Sequence, residues 1–391
     1  MEASIVKRNL RDLDFTLVFL MICISVISCV AVYTSTYGKT DSGIPPHILA
    51  RQIVFELMSY FVMFVVAFMD YRALGKFRWW FYGVSLTLLV AVFGVHHTVN
   101  GAHSWIPLGS LTFEPSEIMK VAAIIWTADY MARMNEREFP DYSFRALLPI
   151  LAVFIVPFIL IMKEPALGQA LVLLAIMYSM LLVYVKKNHA RLMLLGTGAF
   201  IAVVILAVGV FPNQAIHLLE HQHFLKPYQT QRIISFLDPG YQPLHAGYQV
   251  MEAQIAVGNG GLFGTGLLRG SQTSGNWVPY QWTDFIFSAI AEQLGFIGGS
   301  GLILLFVIML YRMIRIAMTA LDDFGAYLVT GCIGMFAFQI FENIGMNLAM
   351  TPATGFTLPF ISYGGSSLIV NFIGMGLVLS VALRRRTLRF N

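Results

Sequence analysis

Charge is scarce in this chain. Asp, Glu, Lys and Arg make up 12% of its 391 residues, about half the share of an ordinary soluble domain. That excludes a globular protein with a fully polar surface. The net charge is only +4, and no nucleic-acid partner is expected. Cysteine is scarcer still: Cys23, Cys29 and Cys332 all fall inside apolar runs, so neither a disulfide framework nor a zinc spacing exists. There is no internal repeat at fixed spacing and no low-complexity segment. No cleavable leader is expected either, because the first apolar run, Phe15 to Tyr33, is long enough to span a bilayer and lacks a cleavage site.

What the chain has is hydrophobic length. Apolar residues make up 57% and the mean hydropathy is +0.71, values of a polytopic membrane protein. Runs able to span occur near 14–36, 53–69, 79–96, 115–134, 147–162, 166–185, 191–211, 284–310, 325–348 and 367–383. The runs near 53–69 and 147–162 are short for a bilayer and are expected to extend into their flanks. The predicted fold is all-α, a single membrane domain over 1–391 with about ten transmembrane helices. Eighteen of the 25 Lys and Arg residues fall on one side of this layout, which the positive-inside rule makes cytoplasmic, with both termini. The other side holds one large extracytoplasmic loop at about 212–283, too long to be a structureless connector. Within it, 215–225 could form a surface helix, and Asp238-Pro239-Gly240-Tyr241 reads as a turn.

The stretch from Asn276 to Phe287 joins that loop to the eighth span. Asp284 is expected in the first turn of the helix, where the backbone dipole favours a carboxylate. Ser288 and Glu292 follow at i+4 and i+8, so one helix face carries all three inward, Glu292 roughly 12 Å deeper. An acid at that depth costs on the order of 3 kcal/mol unless it meets a partner or a wet cavity. A polar cavity open to one side is one reading; an N-capping Asp with one tolerated acid is the other. Lys120 lies below the start of the fourth span, within reach of Glu117 at i+3 or of a cavity shared with Asp284. The run Gly258 to Gly266 could form a phosphate-binding nest or a loop packed against another backbone. His217 and His221 have metal-ligand spacing without a third ligand. Gln339, Asn343 and Asn347 form a polar stripe suited to helix–helix hydrogen bonds.

Several stretches together resemble the SEDS family (shape, elongation, division and sporulation), and within it the RodA-like branch. They are Glu114-Pro115-Ser116-Glu117 with Lys120; Pro227-Tyr228-Gln229 with Arg232; Thr283-Asp284-Phe285-Ile286-Phe287; Asn343-Ile344-Gly345-Met346; and Leu358-Pro359-Phe360-Ile361-Ser362-Tyr363-Gly364-Gly365-Ser366-Ser367. The resemblance covers nearly the whole chain. It implies a multi-pass protein of the bacterial cell membrane that polymerises lipid II into glycan strands, with a class B penicillin-binding protein as partner. It places the essential acid on Asp284 and the buried lysine on Lys120. Arg51, Glu117, Arg232, Thr283, Ser288, Glu292 and Ser366 are then the substrate-binding candidates. Membrane lipids are the other partner. No cofactor is demanded, although a divalent cation, Mg or Mn, could assist the pyrophosphate. The chain departs from the family pattern at Glu114, where Gln is usual, and at Ala166, Tyr280 and Gln293, where acids are usual.

The resemblance implies an inverting transfer in which Asp284 is general base and cations stabilise the leaving pyrophosphate. A flippase for the lipid-linked precursor would also need membrane-buried ionisable groups. A non-catalytic scaffold of the cell-wall machinery is the third reading, suggested by the replaced acids.

Overall fold

The apolar runs become helices because a bilayer leaves backbone amides no partner except one another. The computed structural model describes residues 13–39, 44, 47–94, 105–108, 111–137, 144–164, 166–210, 214, 227–237 and 246–385. In order, the elements are α1 Phe15–Thr36, α2 Ile48–Phe68, α3 Tyr71–Lys76, α4 Arg78–Ala91, β1 Ile106–Leu108, β2 Leu111–Phe113, α5 Pro115–Asn135, α6 Phe144–Lys163, α7 Leu167–Tyr184 and α8 Lys187–Val210. Then come α9 Pro227–Leu237, α10 Ala246–Gly260, α11 Ser271–Ser274, α12 Ile286–Met318, α13 Asp323–Asn347 and α14 Gly365–Ala382. Among the described residues, seven helices are long and apolar enough to cross a membrane: α1, α2, α6, α7, α12, α13 and α14. The two short runs do extend, α2 starting at Ile48 and α6 at Phe144. The stretch 215–225, with its two histidines, and the turn at 238–241 lie outside the described residues.

The interior helices are α13 and α14, 72% and 78% buried along their spanning windows, against 28% for α12. Aromatic and aliphatic side chains from α2, α5, α7 and α12 pack around them, with Phe336, Phe360 and Phe372 fully enclosed. One end of this bundle is tied by ion pairs. Asp14 caps α1 at Leu17 N and takes Arg312 at 2.6 Å and Arg385 at 3.4 Å; Arg72 meets Asp322 at 2.8 Å. Arg78 and Arg133 share Asp129. Arg72, Arg78, Arg133, Arg312 and Arg385, all assigned to one side from the charge count, therefore gather at one end.

The opposite end holds the irregular backbone. Here α12 departs from expectation: it begins at Ile286, so Asp284 precedes the helix instead of sitting in its first turn. It also runs 33 residues, broken at Gly295, where φ is 68° and ψ is −168°. Residues Ile286 to Gln293 before the break are all buried in protein, where broken helical backbone is tolerated. The glycine run explains how. Thr265 N and Gly266 N donate to the carbonyls of Glu292 and Gln293 at 2.9 and 3.1 Å, and Phe296 N donates to Gly261 O at 2.8 Å. A Cβ at Gly264 would stand 2.1 Å from the Gln293 carbonyl oxygen. The run is thus a strap packed on the kink. The amides of a phosphate nest are already occupied.

Candidate active site

Asp284 is half-buried at the mouth formed by α9, α12, α13 and the segment between α13 and α14. Its backbone is held from two directions. Asn343 Nδ2 and Asn347 Nδ2, one turn apart on α13, donate to the Asp284 carbonyl at 2.8 and 3.1 Å. From the other side, Ser362 Oγ donates to Thr283 O at 2.6 Å and Tyr363 N to Trp282 O at 2.9 Å. Asn343 and Asn347 of the polar stripe on α13 therefore bond to this loop. Asn347 Oδ1 also accepts from Ser288 N at 3.0 Å, fixing the start of α12.

The carboxylate itself faces Arg232 of α9. An ideal Cβ on Gly355 would lie 2.8 Å from Arg232 Nη1 and 3.3 Å from Asp284 Oδ2, so the two charged ends are within roughly 6 Å, close enough to interact strongly where water is scarce. Gly355 has φ of +73°, a conformation that L side chains avoid, and its missing side chain leaves this gap open. Arg232 Nη1 also donates to Ala353 O at 2.8 Å. Burial raises the Asp284 carboxyl above the ordinary aspartate range, and Arg232, then the Thr283 hydroxyl, pull it back.

Lys120 is not the partner of Asp284. It is fully enclosed, its ammonium 2.9 Å from Glu117 Oε2, and no ion pair within 4.0 Å joins it to Asp284. Glu117 lies one turn away on the same helix and is anchored by Gln169 Nε2 at 2.6 Å, so it satisfies the ammonium locally. Lys120 still touches the site through Phe356, whose ring centroid is 5.3 Å from the ammonium and whose carbonyl accepts from Asn343. Glu114, buried alongside, accepts from Ser116 Oγ at 2.8 Å.

The remaining candidates are spread. Arg51 is half-buried in the first turn of α2 and makes no ion pair among the described residues. Ser288 is enclosed and donates to Phe285 O at 2.7 Å. Glu292 is also enclosed, accepting from Gln272 N at 2.8 Å, from Thr273 N at 2.7 Å and from the Thr273 hydroxyl, so it caps α11. Thr283 turns its hydroxyl to Tyr280 O, and Ser366, at the start of α14, donates to Thr112 O at 2.6 Å, fastening the β1–β2 hairpin. Where family acids are usual, Gln293 Oε1 accepts from Leu268 N at 3.2 Å and Tyr280 is 38% exposed with φ of 55°. Sequence reasoning missed Gly355 and Ser362 as shapers of the site. Their signal was the Gly- and Pro-rich gap after α13.

A helical multi-pass membrane protein with an acid and an arginine converging at one end defines the class. A family model described as "Cell cycle protein", covering FtsW, RodA and SpoVE, matches residues 11–387, and the chain belongs to this SEDS family. Stage V sporulation protein E of Bacillus subtilis (strain 168) is 34% identical, over 94% of this chain and 96% of its own length. Peptidoglycan glycosyltransferase MrdB of Escherichia coli (strain K12) is 31% identical, over 96% and 95%. A chain of a solved peptidoglycan synthase complex, described as coordinating polymerization and crosslinking, superposes with a TM-score of 0.73 at 32% identity, covering 96% of this chain and 99% of that one. The rod shape determining protein RodA of Thermus thermophilus gives 0.65 at 28% identity, over 96% and 98%. Relatives of different branches stand at nearly equal identity, so RodA likeness is not singled out.

Proposed function

We propose that this chain is a peptidoglycan glycosyltransferase that elongates glycan strands from lipid II at the outer face of the membrane. The observation that carries the reading is the half-buried Asp284 carboxylate, held by its backbone from two sides and set against Arg232. Chain extension needs a sugar hydroxyl to attack an anomeric carbon while a lipid pyrophosphate departs. Asp284 takes the hydroxyl proton, and its raised carboxyl suits it to that task better than an exposed aspartate. Arg232 offers a planar fork to the pyrophosphate, and Arg51 is a further cation at this end. Direct displacement inverts the anomeric centre.

Among the described residues no group of three His, Cys, Asp or Glu side chains could hold a metal. A divalent ion would therefore depend on pyrophosphate oxygens, with Asp284 as a protein carboxylate within the site. A class B penicillin-binding protein is the proposed partner, supported by the likeness to a chain of a synthase complex. A precursor flippase is not favoured, since the relatives carry glycosyltransferase names. Asp284→Asn keeps size and one acceptor but cannot take a proton. It should lower lipid II polymerisation 10²–10⁴-fold, on the order expected for a lost base, with the protein still folded in the membrane. Near-wild-type glycan synthesis would remove Asp284 from the chemistry.

A further inference from the structure

Behind the site, α1 and α2 share a polar network that the proton transfer does not touch. Ser25 Oγ donates to Glu56 Oε2 at 2.8 Å and lies 3.0 Å from Tyr60 Oη. Gln52 Nε2 reaches Glu56 Oε1 at 3.5 Å and donates to Ser28 Oγ at 2.9 Å. Ser28 Oγ in turn donates to the Ile361 carbonyl at 2.9 Å. Glu56 is 5% exposed, Gln52 and Ser28 fully enclosed, and no cation lies within 4.0 Å of Glu56 among the described residues. Burying so many polar atoms where neighbouring positions are aliphatic or aromatic is costly unless they are hydrogen-bonded, and a network bonded in this way holds its members in fixed orientations.

What they orient is the turn at 358–363. Its Ser362 Oγ accepts from Leu358 N at 2.8 Å and donates to Thr283 O at 2.6 Å, while Tyr363 N holds Trp282 O. The hydrogen bonds thus run from Glu56 through Gln52, Ser28 and the turn to the peptide just before Asp284. Their direction matters. Ser28 has one proton, and because Gln52 donates to its oxygen, that proton is left for Ile361. Glu56, as acceptor, keeps the Gln52 amide turned the right way.

We propose that Glu56, Gln52 and Ser28 are positioning residues, which set the 358–363 turn and through it the aim of the Asp284 carboxylate. This rests on the reading of Asp284 as general base. The test is made on the full chain in the membrane, combining hydrogen–deuterium exchange with lipid II polymerisation kinetics. Ser28→Ala should raise exchange in peptides covering 280–286 and 357–364. It should also lower kcat about tenfold, the scale of one lost orienting hydrogen bond, with KM changed less than about twofold. Ser28→Thr, which keeps the donor, should restore both, and Glu56→Gln should move both in the direction of Ser28→Ala. Unchanged exchange in Ser28→Ala overturns the proposal, whatever the kinetics. Raised exchange with unchanged kcat also overturns it, leaving the network a packing role alone. If Glu56→Gln does not fold, the Ser28 pair decides. Should Asp284→Asn polymerise normally, the base assignment fails and takes this inference with it, a failure distinct from any exchange result.

Discussion

Burial, and after it the neighbouring Glu117, push the Glu114 carboxyl up to about 7, against the pull of Ser116, Lys120 and Gln169. The folded state therefore holds a proton that the unfolded state releases near the ordinary glutamate value. Stability falls as pH rises between those two values and stays lowered above them. Glu114→Gln removes this difference. It should add on the order of 2–3 kcal/mol at pH 8 and little at pH 4, read from thermal melts in detergent; a gain equal at both pH values contradicts the assignment. The Asp284 carboxyl is likewise raised by burial but restrained by Arg232. Polymerisation needs the carboxylate, so the acid limb of kcat/KM should move to higher pH in Arg232→Gln and stay in place in Arg232→Lys. An unmoved limb in the Gln variant breaks the electrostatic link. At this scale the sequence showed which residues were unusual but not whom they met. Lys120 had Glu117 and Asp284 as partners of comparable appeal, and the choice depended on Gln169 anchoring Glu117 from another helix.

Helices were legible because twenty apolar residues in a row have few other fates in a bilayer. Their interruptions were not. Gly295 sits in an apolar run as many tolerated glycines do, and only the strap at 258–266 gives its left-handed backbone a purpose. Which of two meanings the strap carried depended on a close approach that composition cannot express. Its tightness predicts a contrast between two glycines of positive φ. At Gly264 a Cβ would collide with backbone, whereas at Gly261 nothing lies within 4 Å. Gly264→Ala should cost on the order of 3 kcal/mol or more and Gly261→Ala about 1 kcal/mol, measured as the shift in thermal unfolding. Equal shifts would mean the strap is not seated on the kink.

For the whole molecule, Arg72, Arg78, Arg133, Arg312, Arg384 and Arg385 collect in ion pairs at one end and Asp284 lies at the other, in keeping with the uneven Lys and Arg distribution of the sequence. Cysteine-free protein carrying a single cysteine at exposed Ser274 should react with a membrane-impermeant thiol reagent in intact cells. One at exposed Asn188 should react only after lysis. The reverse pattern would place the proposed chemistry on the wrong side for a lipid-linked donor. The break in α12 has a mechanical consequence as well. Beyond Gly295 the helix is about 34 Å long, a membrane thickness on its own, and protein covers only the face that carries Leu302, Phe306, Met309, Met313 and Ile316. The stub before Gly295 is buried from Ile286 to Gln293. The strap bonds the carbonyls of Glu292 and Gln293 on one side of Gly295 and the amides of Phe296 and Ile297 on the other, so it fixes the angle of the joint. The stub follows Asp284 closely in the chain, so this clamp also holds the angle between the long rod and the loop that bears the acid, as a bracket holds a shelf to a wall.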